Sequence, residues 1–130
     1  MQIILGMGCD RGTSLETLEQ AVADTLAQAN LEQDTVKGLA TIDKKNDEVG
    51  LLALAEKNKW PLQFYSAEQL AKVDVPNPSE VVMKYMGTPA VAEAAAMLAA
   101  NTDVTNLIIE KNKYRGKDSK HATVSVVRLR

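Results

Sequence analysis

The chain has 130 residues and a mass of 14.1 kDa, the size of one ordinary domain. Its residues are 45% hydrophobic but include only one Trp, three Tyr and one Phe, so the core is built mainly from Val, Ile, Leu, Ala and Met. A formal net charge of -2 and a pI near 5.4 exclude the broad basic surface that nonspecific nucleic-acid binding needs.

"QIILGM" at 2–7 is a short apolar run suited to a strand buried on both faces. It leads into "GMGCDRGTS" at 6–14, where Gly6, Gly8 and Gly12 predict a loop between strand and helix. Leu15, Leu18, Val22 and Leu26 recur at helical spacing, and Thr13 with Glu16 matches a capping box at the helix start. "VKGLATI" at 36–42 reads as a second strand. "NDEVGLLALAEKN" reads as a helix opened by acidic residues, which complement the positive end of its dipole, although Gly50 weakens it. "PLQFYS" at 61–66 predicts a third strand, and Ser66 with Gln69 forms a capping box for the short helix "AEQLAKV".

Asn77-Pro78 and Thr88-Pro89 each place a capping side chain before a proline suited to the first helical position. Two helices separated by Gly87 are therefore expected, one with Val81, Val82, Tyr85 and Met86 on its apolar face. Val91, Ala94, Ala95 and Leu98 form the apolar face of the other. The strands "NLIIEK" and "HATVSVVRLR" follow, joined by the polar stretch "NKYRGKDS" as a long hairpin connection. With no internal repeat or interdomain linker, residues 1–130 are expected to form one α/β domain. Its architecture is three-layer α/β/α, around a mixed, mostly parallel five-stranded sheet.

Ligands of such sheets bind at the carboxyl ends of the parallel strands. Four segments meet there: "GCDRGTS", "TIDKK", "SAEQ" and "KNKYRG", which together bring Arg11, Lys44, Lys111, Lys113 and Arg115 to one edge. The glycines read G-x-G-x-x-x-G, one residue longer than a dinucleotide fingerprint, and Asp43 lies about 30 rather than about 20 residues further on. A P-loop's Gly-Lys pair is absent. Two readings of the first loop stay open. Its amides and Arg11 form an anion site at the helix start, or the glycines make a tight turn and Arg11 pairs with Asp10 or another acid.

Residues 111–120 carry five of the 15 basic residues. They read either as a solvated hairpin tip or as a basic flap over an acidic ligand, with Tyr114 as a stacking face. Cys9, the only cysteine, sits where a helix N-terminus and Arg11 would lower its thiol pKa; His121 forms a dyad with it only if the fold joins them. No residue cluster has metal-ligand spacing and no G-x-S-x-G elbow is present, so neither metal nor cofactor is expected. The lone cysteine, and apolar runs far short of ~20 residues, point to a cytoplasmic protein with no membrane partner.

The segments "GMGCDRGTS", "GLATIDKKNDEVGLLALAEKNKWPLQFYSAEQL", "VPNPSEVVMKYMGTPAVAEAAAMLAA" and "EKNKY" followed by "TVSVVR" resemble, in order, the CobE and CbiG C-terminal domain family of cobalamin biosynthesis. The resemblance implies a compact α/β/α fold acting on corrin-ring intermediates, macrocycles that carry several acetate and propionate groups. Full-length CbiG is a cobalt-precorrin-5A hydrolase that opens a lactone and releases acetaldehyde, whereas CobE is a stand-alone version of the C-terminal part. The expectation here is a domain without the N-terminal and central regions of CbiG, with no general base assigned. Other cobalamin-biosynthesis enzymes are candidate partners, and an exposed apolar face on "AVAEAAAMLAA" would mark the docking surface.

By the same resemblance, substrate binding is expected at Gly6, Gly8, Cys9, Arg11, Gly12, Thr13 and Ser14 in the first loop. Thr41, Asp43 and Lys44 follow from the second loop, and Ser66 from the third. Asn77, Pro78, Ser79, Gly87 and Thr88 come from the helix starts, and Lys111 and Tyr114 from the late basic run.

Overall fold

The computed structural model describes residues 1–73 and 91–129. The helix starts expected at Asn77, Pro78, Ser79, Gly87 and Thr88 lie outside the described residues. Five strands form one sheet: β1 (Ile3–Cys9), β2 (Val36–Ile42), β3 (Leu62–Tyr65), β4 (Leu107–Arg115) and β5 (His121–Arg128), in the order β3-β2-β1-β5-β4. β1 pairs with β2, and β2 with β3, in parallel, whereas β5 is antiparallel to both β1 and β4. Four strands thus point one way and β5 alone runs against them.

Side chains alternate across a strand, and the central strand uses both faces. Ile3, Leu5 and Met7 pack with Leu18, Val22 and Leu26 of α1 (Leu15–Ala29) and with Leu51 and Leu54 of α2 (Val49–Asn58). On the other face, Ile4, Ala40 and Ile42 pack with Leu70 of α3 (Ala67–Ala71) and with Ala94, Ala95, Ala96 and Met97 of α4 (Val91–Ala100). This is the expected three-layer architecture. α4 is buried along nearly its whole length, so the apolar face that would have marked a docking surface is instead core. Among the described residues no helix is long and apolar enough to cross a membrane.

The glycines divide by role. β1 runs on through Gly6 and Gly8, so these two are strand rather than loop. A Cβ at Gly6 would fall 1.8 Å from the Ala92 carbonyl oxygen and 3.0 Å from the Ala96 Cβ; the missing side chain lets α4 lie directly on β1. Of Gly6, Gly8 and Gly12, only Gly12 turns the chain, with φ at +76°, where a side chain is strained. At Gly50 a Cβ would meet the Thr13 carbonyl oxygen at 2.4 Å, so the residue that weakens the α2 pattern permits α2 to reach the loop before α1.

Helix starts follow local hydroxyl chemistry. The Ser66–Gln69 capping box forms as expected. The Thr13–Glu16 box does not: Ser14 caps α1 by accepting from the Thr17 N–H at 3.2 Å, while the Thr13 hydroxyl donates to the Asp10 carbonyl at 2.6 Å. The cap has moved one residue because Ser14 offers the same oxygen with Thr13 already engaged. The long hairpin connection is also corrected. β4 takes in Lys111 to Arg115, leaving a connection over residues 116–120, closed by the Gly116 N–H to the Lys120 carbonyl at 2.9 Å.

Candidate ligand-binding rim

Because β4 runs with β1, β2 and β3, the ends of all four strands reach the same edge of the sheet. The register of Cys9 with Ala122 and of Arg115 with His121 fixes this for β1, β5 and β4. Around that edge lie the first loop, the 3-10 turn Asp43–Lys45 after β2, and the β4–β5 hairpin tip.

On the α1 side the rim is filled by the chain's own charges. Arg11 Nη1 lies 2.5 Å from Asp47 Oδ1, and Nη2 donates to the Lys44 carbonyl at 2.9 Å. The Gly12 N–H donates to both oxygens of Glu48, at 3.1 and 3.2 Å, and that carboxylate is only 8% exposed. The Ser14 N–H donates to Asp118 at 3.0 Å, and the Thr17 hydroxyl donates to the same carboxylate at 2.9 Å. A carboxylate at a helix N-terminus is favoured by the dipole. The Ser14 hydrogen bond leads the effects that pull the Asp118 pKa from 3.8 down to about 2. The anion expected at the first loop is therefore supplied internally, and Arg11 has an acid partner, Asp47 rather than Asp10.

A cleft of about 300 Å³ between the starts of α1 and α2 is lined by Gly12, Ser14, Asp47 and Glu48 among others. Its size suits a small ligand, but its two carboxylates disfavour an anion. Cys9 lies beside it, with its thiol 4.0 Å from Glu48 Oε2. Burial pushes that thiol pKa up, Lys45 offsets part of the effect, and Glu48 adds to it, so the expected lowering is reversed. His121 turns to Asp10, whose carboxylate accepts from the His121 N–H at 2.8 Å and lies 3.1 Å from Nδ1. The cysteine–histidine dyad does not form.

The far side of the rim differs. Alternation along β4 directs Asn112 and Tyr114 toward α1: Asn112 bonds to Asp24, Thr25 and Gln28, and Tyr114 packs on the core beneath α1. Tyr114 is thus a core-packing residue, and the first half of the flap expected over 111–120, residues 111–115, is hydrogen-bonded strand. Lys111, Lys113 and Arg115 take the opposite face. Lys111 Nζ sits 3.3 Å from Glu93 Oε2 on α4, and Glu93 is 2% exposed. Burial raises the Glu93 pKa, and Lys111 partly offsets it.

The remaining expected residues take structural positions. Thr41 is fully buried and donates to the Met7 carbonyl at 2.7 Å, tying β2 to β1. Asp43 and Lys44 are exposed on the 3-10 turn, and Ser66 caps α3. Sequence reasoning passed over Glu48, read only as one of several helix-opening acids, and Asp118, hidden in a basic run. The Ser14–Asp118 contact spans 104 positions, which no local pattern signals.

A family model described as cobalamin synthesis G C-terminus matches residues 3–127. Cobalt-precorrin-5A hydrolase of Priestia megaterium is 40% identical over 110 residues, covering 85% of this chain and 29% of that protein. Protein CobE of Sinorhizobium sp is 34% identical over 111 residues, covering 84% of this chain and 71% of that protein. The crystal structure of CobE, a protein from the cobalamin biosynthetic pathway, superimposes with a TM-score of 0.84 at 31% identity, covering 99% of this chain and 91% of that one. The chain thus spans less than a third of the Priestia hydrolase.

Proposed function

The chain belongs to the cobalamin synthesis G C-terminus family, and from that membership we propose that it binds a carboxylate-bearing corrin-ring intermediate at the rim of β1 to β4. The observation that carries this reading is the convergence of four codirectional strands, with Arg11, Lys44, Lys111, Lys113 and Arg115 on the segments that end them. A ring fringed by acetate and propionate arms meets cations on either side of such an edge. A charge-assisted hydrogen bond contributes about 1.5–3 kcal/mol, so two or three, with ring contact, support micromolar binding.

With Arg11 paired to Asp47 and Lys111 to Glu93, the arms are met by the exposed Lys44, Lys113 and Arg115. Gly6, Gly12, Thr13, Ser14, Thr41 and Ser66 shape the edge through the packing and backbone contacts described above. The reading is one of binding; no residue is assigned as a general base, and the cobalt-precorrin-5A hydrolase activity is that of the longer Priestia megaterium relative. Titration of the purified protein with hydrogenobyrinic acid, followed by the visible absorbance of the ligand, tests it. Saturable micromolar binding is expected, and an unchanged spectrum at high micromolar ligand overturns the proposal.

A further inference from the structure

Three adjacent strands, β1, β5 and β4, share one row on the α4 face of the sheet. Register aligns Gly8 of β1 with Thr123 of β5, and Thr123 with Lys113 of β4. One row back, Gly6 aligns with Ser125, and the Ala92 backbone of α4 lies directly over Gly6. Two residues along a strand advance about 6.7 Å, which sets the Gly8 row that far from the Ala92 contact. Among the described residues, a Cβ at Gly8 would meet only the Thr123 Cβ, at 3.8 Å. The floor is therefore a stretch of flat sheet with no side chain at one position and a short one at the next.

Its outer border is basic. Lys113 and Arg115 are exposed on the face of β4 away from α1, with His121 directly across from Arg115. Among the described residues, neither the Lys113 nor the Arg115 side chain has a hydrogen-bond or ion-pair partner. The contrast with the α1 side is direct: there Arg11 faces Asp47, Gly12 faces Glu48 and Ser14 faces Asp118. A flat macrocycle needs a level surface for its face and unpaired cations for its arms, and arginine adds a fork that takes a carboxylate through two hydrogen bonds.

We infer that the Gly8–Thr123 floor, bordered by Lys113 and Arg115, is the subsite that seats the ring edge and its carboxylate arms. This rests on the corrinoid reading above and assigns that ligand to the α4 side of the rim. The arms make the main contact with Lys113 and Arg115, and the ring lies over Gly8.

Two probes separate the elements of the inference: dicyanocobyrinic acid, whose arms are free carboxylates, and dicyanocobinamide, whose arms are amides. The Lys113→Gln/Arg115→Gln double variant is expected to weaken the carboxylate probe about tenfold or more and to leave the amide probe within twofold. Gly8→Val fills the floor and weakens both. Lys37→Gln, an exposed cation near the opposite end of the sheet, changes neither. In amide-resolved NMR of the wild-type chain, Gly8 and Thr123 shift on titration ahead of Gly12 and Ser14. If the wild type binds the acid but the double variant binds it equally well, or the shifts centre on Gly12 and Ser14, the subsite is wrong and the corrinoid reading stands. If the wild type binds no carboxylate corrinoid, both fall.

Discussion

Gly6→Ala isolates the contact that seats α4 on the sheet. The added Cβ falls 1.8 Å from the Ala92 carbonyl oxygen, against a closest approach near 3.0 Å for real Cβ atoms. A gap of more than about 1 Å must open between helix backbone and strand, and no rotamer change relieves a clash with backbone. Overpacking of this kind costs about 1–3 kcal/mol, and the upper end applies because α4 buries Ala94, Ala95, Ala96 and Met97 against the same face. For a domain of this length, about 3 kcal/mol lowers Tm by about 9–15 °C. Thermal unfolding followed by circular dichroism at 222 nm reads the change, with Gly8→Ala as the partner variant. Its Cβ makes ordinary contact with Thr123 at 3.8 Å, so its Tm should stay within about 2 °C of wild type. A Gly6→Ala protein that melts with the wild type, or a Gly8→Ala protein that falls as far, refutes the division of roles between the two glycines.

Two other contacts give distinct signatures. Asp118→Asn removes a carboxylate held near pKa 2, below its ordinary value of 3.8; the stabilisation is complete above the unfolded value and disappears as pH falls through about 2. The Tm gap between wild type and variant should therefore be widest at neutral pH and close in acid, and a gap that ignores pH would sink the assignment. Cys9 should react with a disulfide reagent at pH 7 more slowly than glutathione, since burial and Glu48 raise its thiol pKa. Glu48→Gln should speed that reaction, and a fast wild-type thiol would contradict the geometry.

What the sequence disclosed depended on how local each signal was. β2 was bounded at 36–42 as observed, because a largely apolar run, interrupted by Lys37 and Thr41 and flanked by polar segments, has few alternatives. The Ser66–Gln69 box was equally legible, since both partners lie within one turn. The α1 start was misplaced by one residue because Thr13 and Ser14 offer the same hydroxyl, and only the Asp10 carbonyl decides between them. The glycine run was taken for a loop because glycine serves turns and close helix packing alike; Ala92, which distinguishes the two, lies 86 positions beyond Gly6. In the basic run, charge masked the alternation that turns Asn112 and Tyr114 inward, and it hid Asp118, the carboxylate that caps α1 from the far hairpin. The candidate rim was legible as an edge of the sheet, but not as two halves with opposite electrostatics.

The position of β1 has a consequence for biogenesis. It lies mid-sheet, between β2 and β5, so one flank of β1 stays bare until β5, more than 110 residues further along the chain, joins it. The α1 and α2 crossovers can condense onto β2 and β3 early, yet the nascent sheet keeps an open, sticky border. Loss of β5 should therefore yield aggregates or chaperone clients rather than a trimmed but working fold.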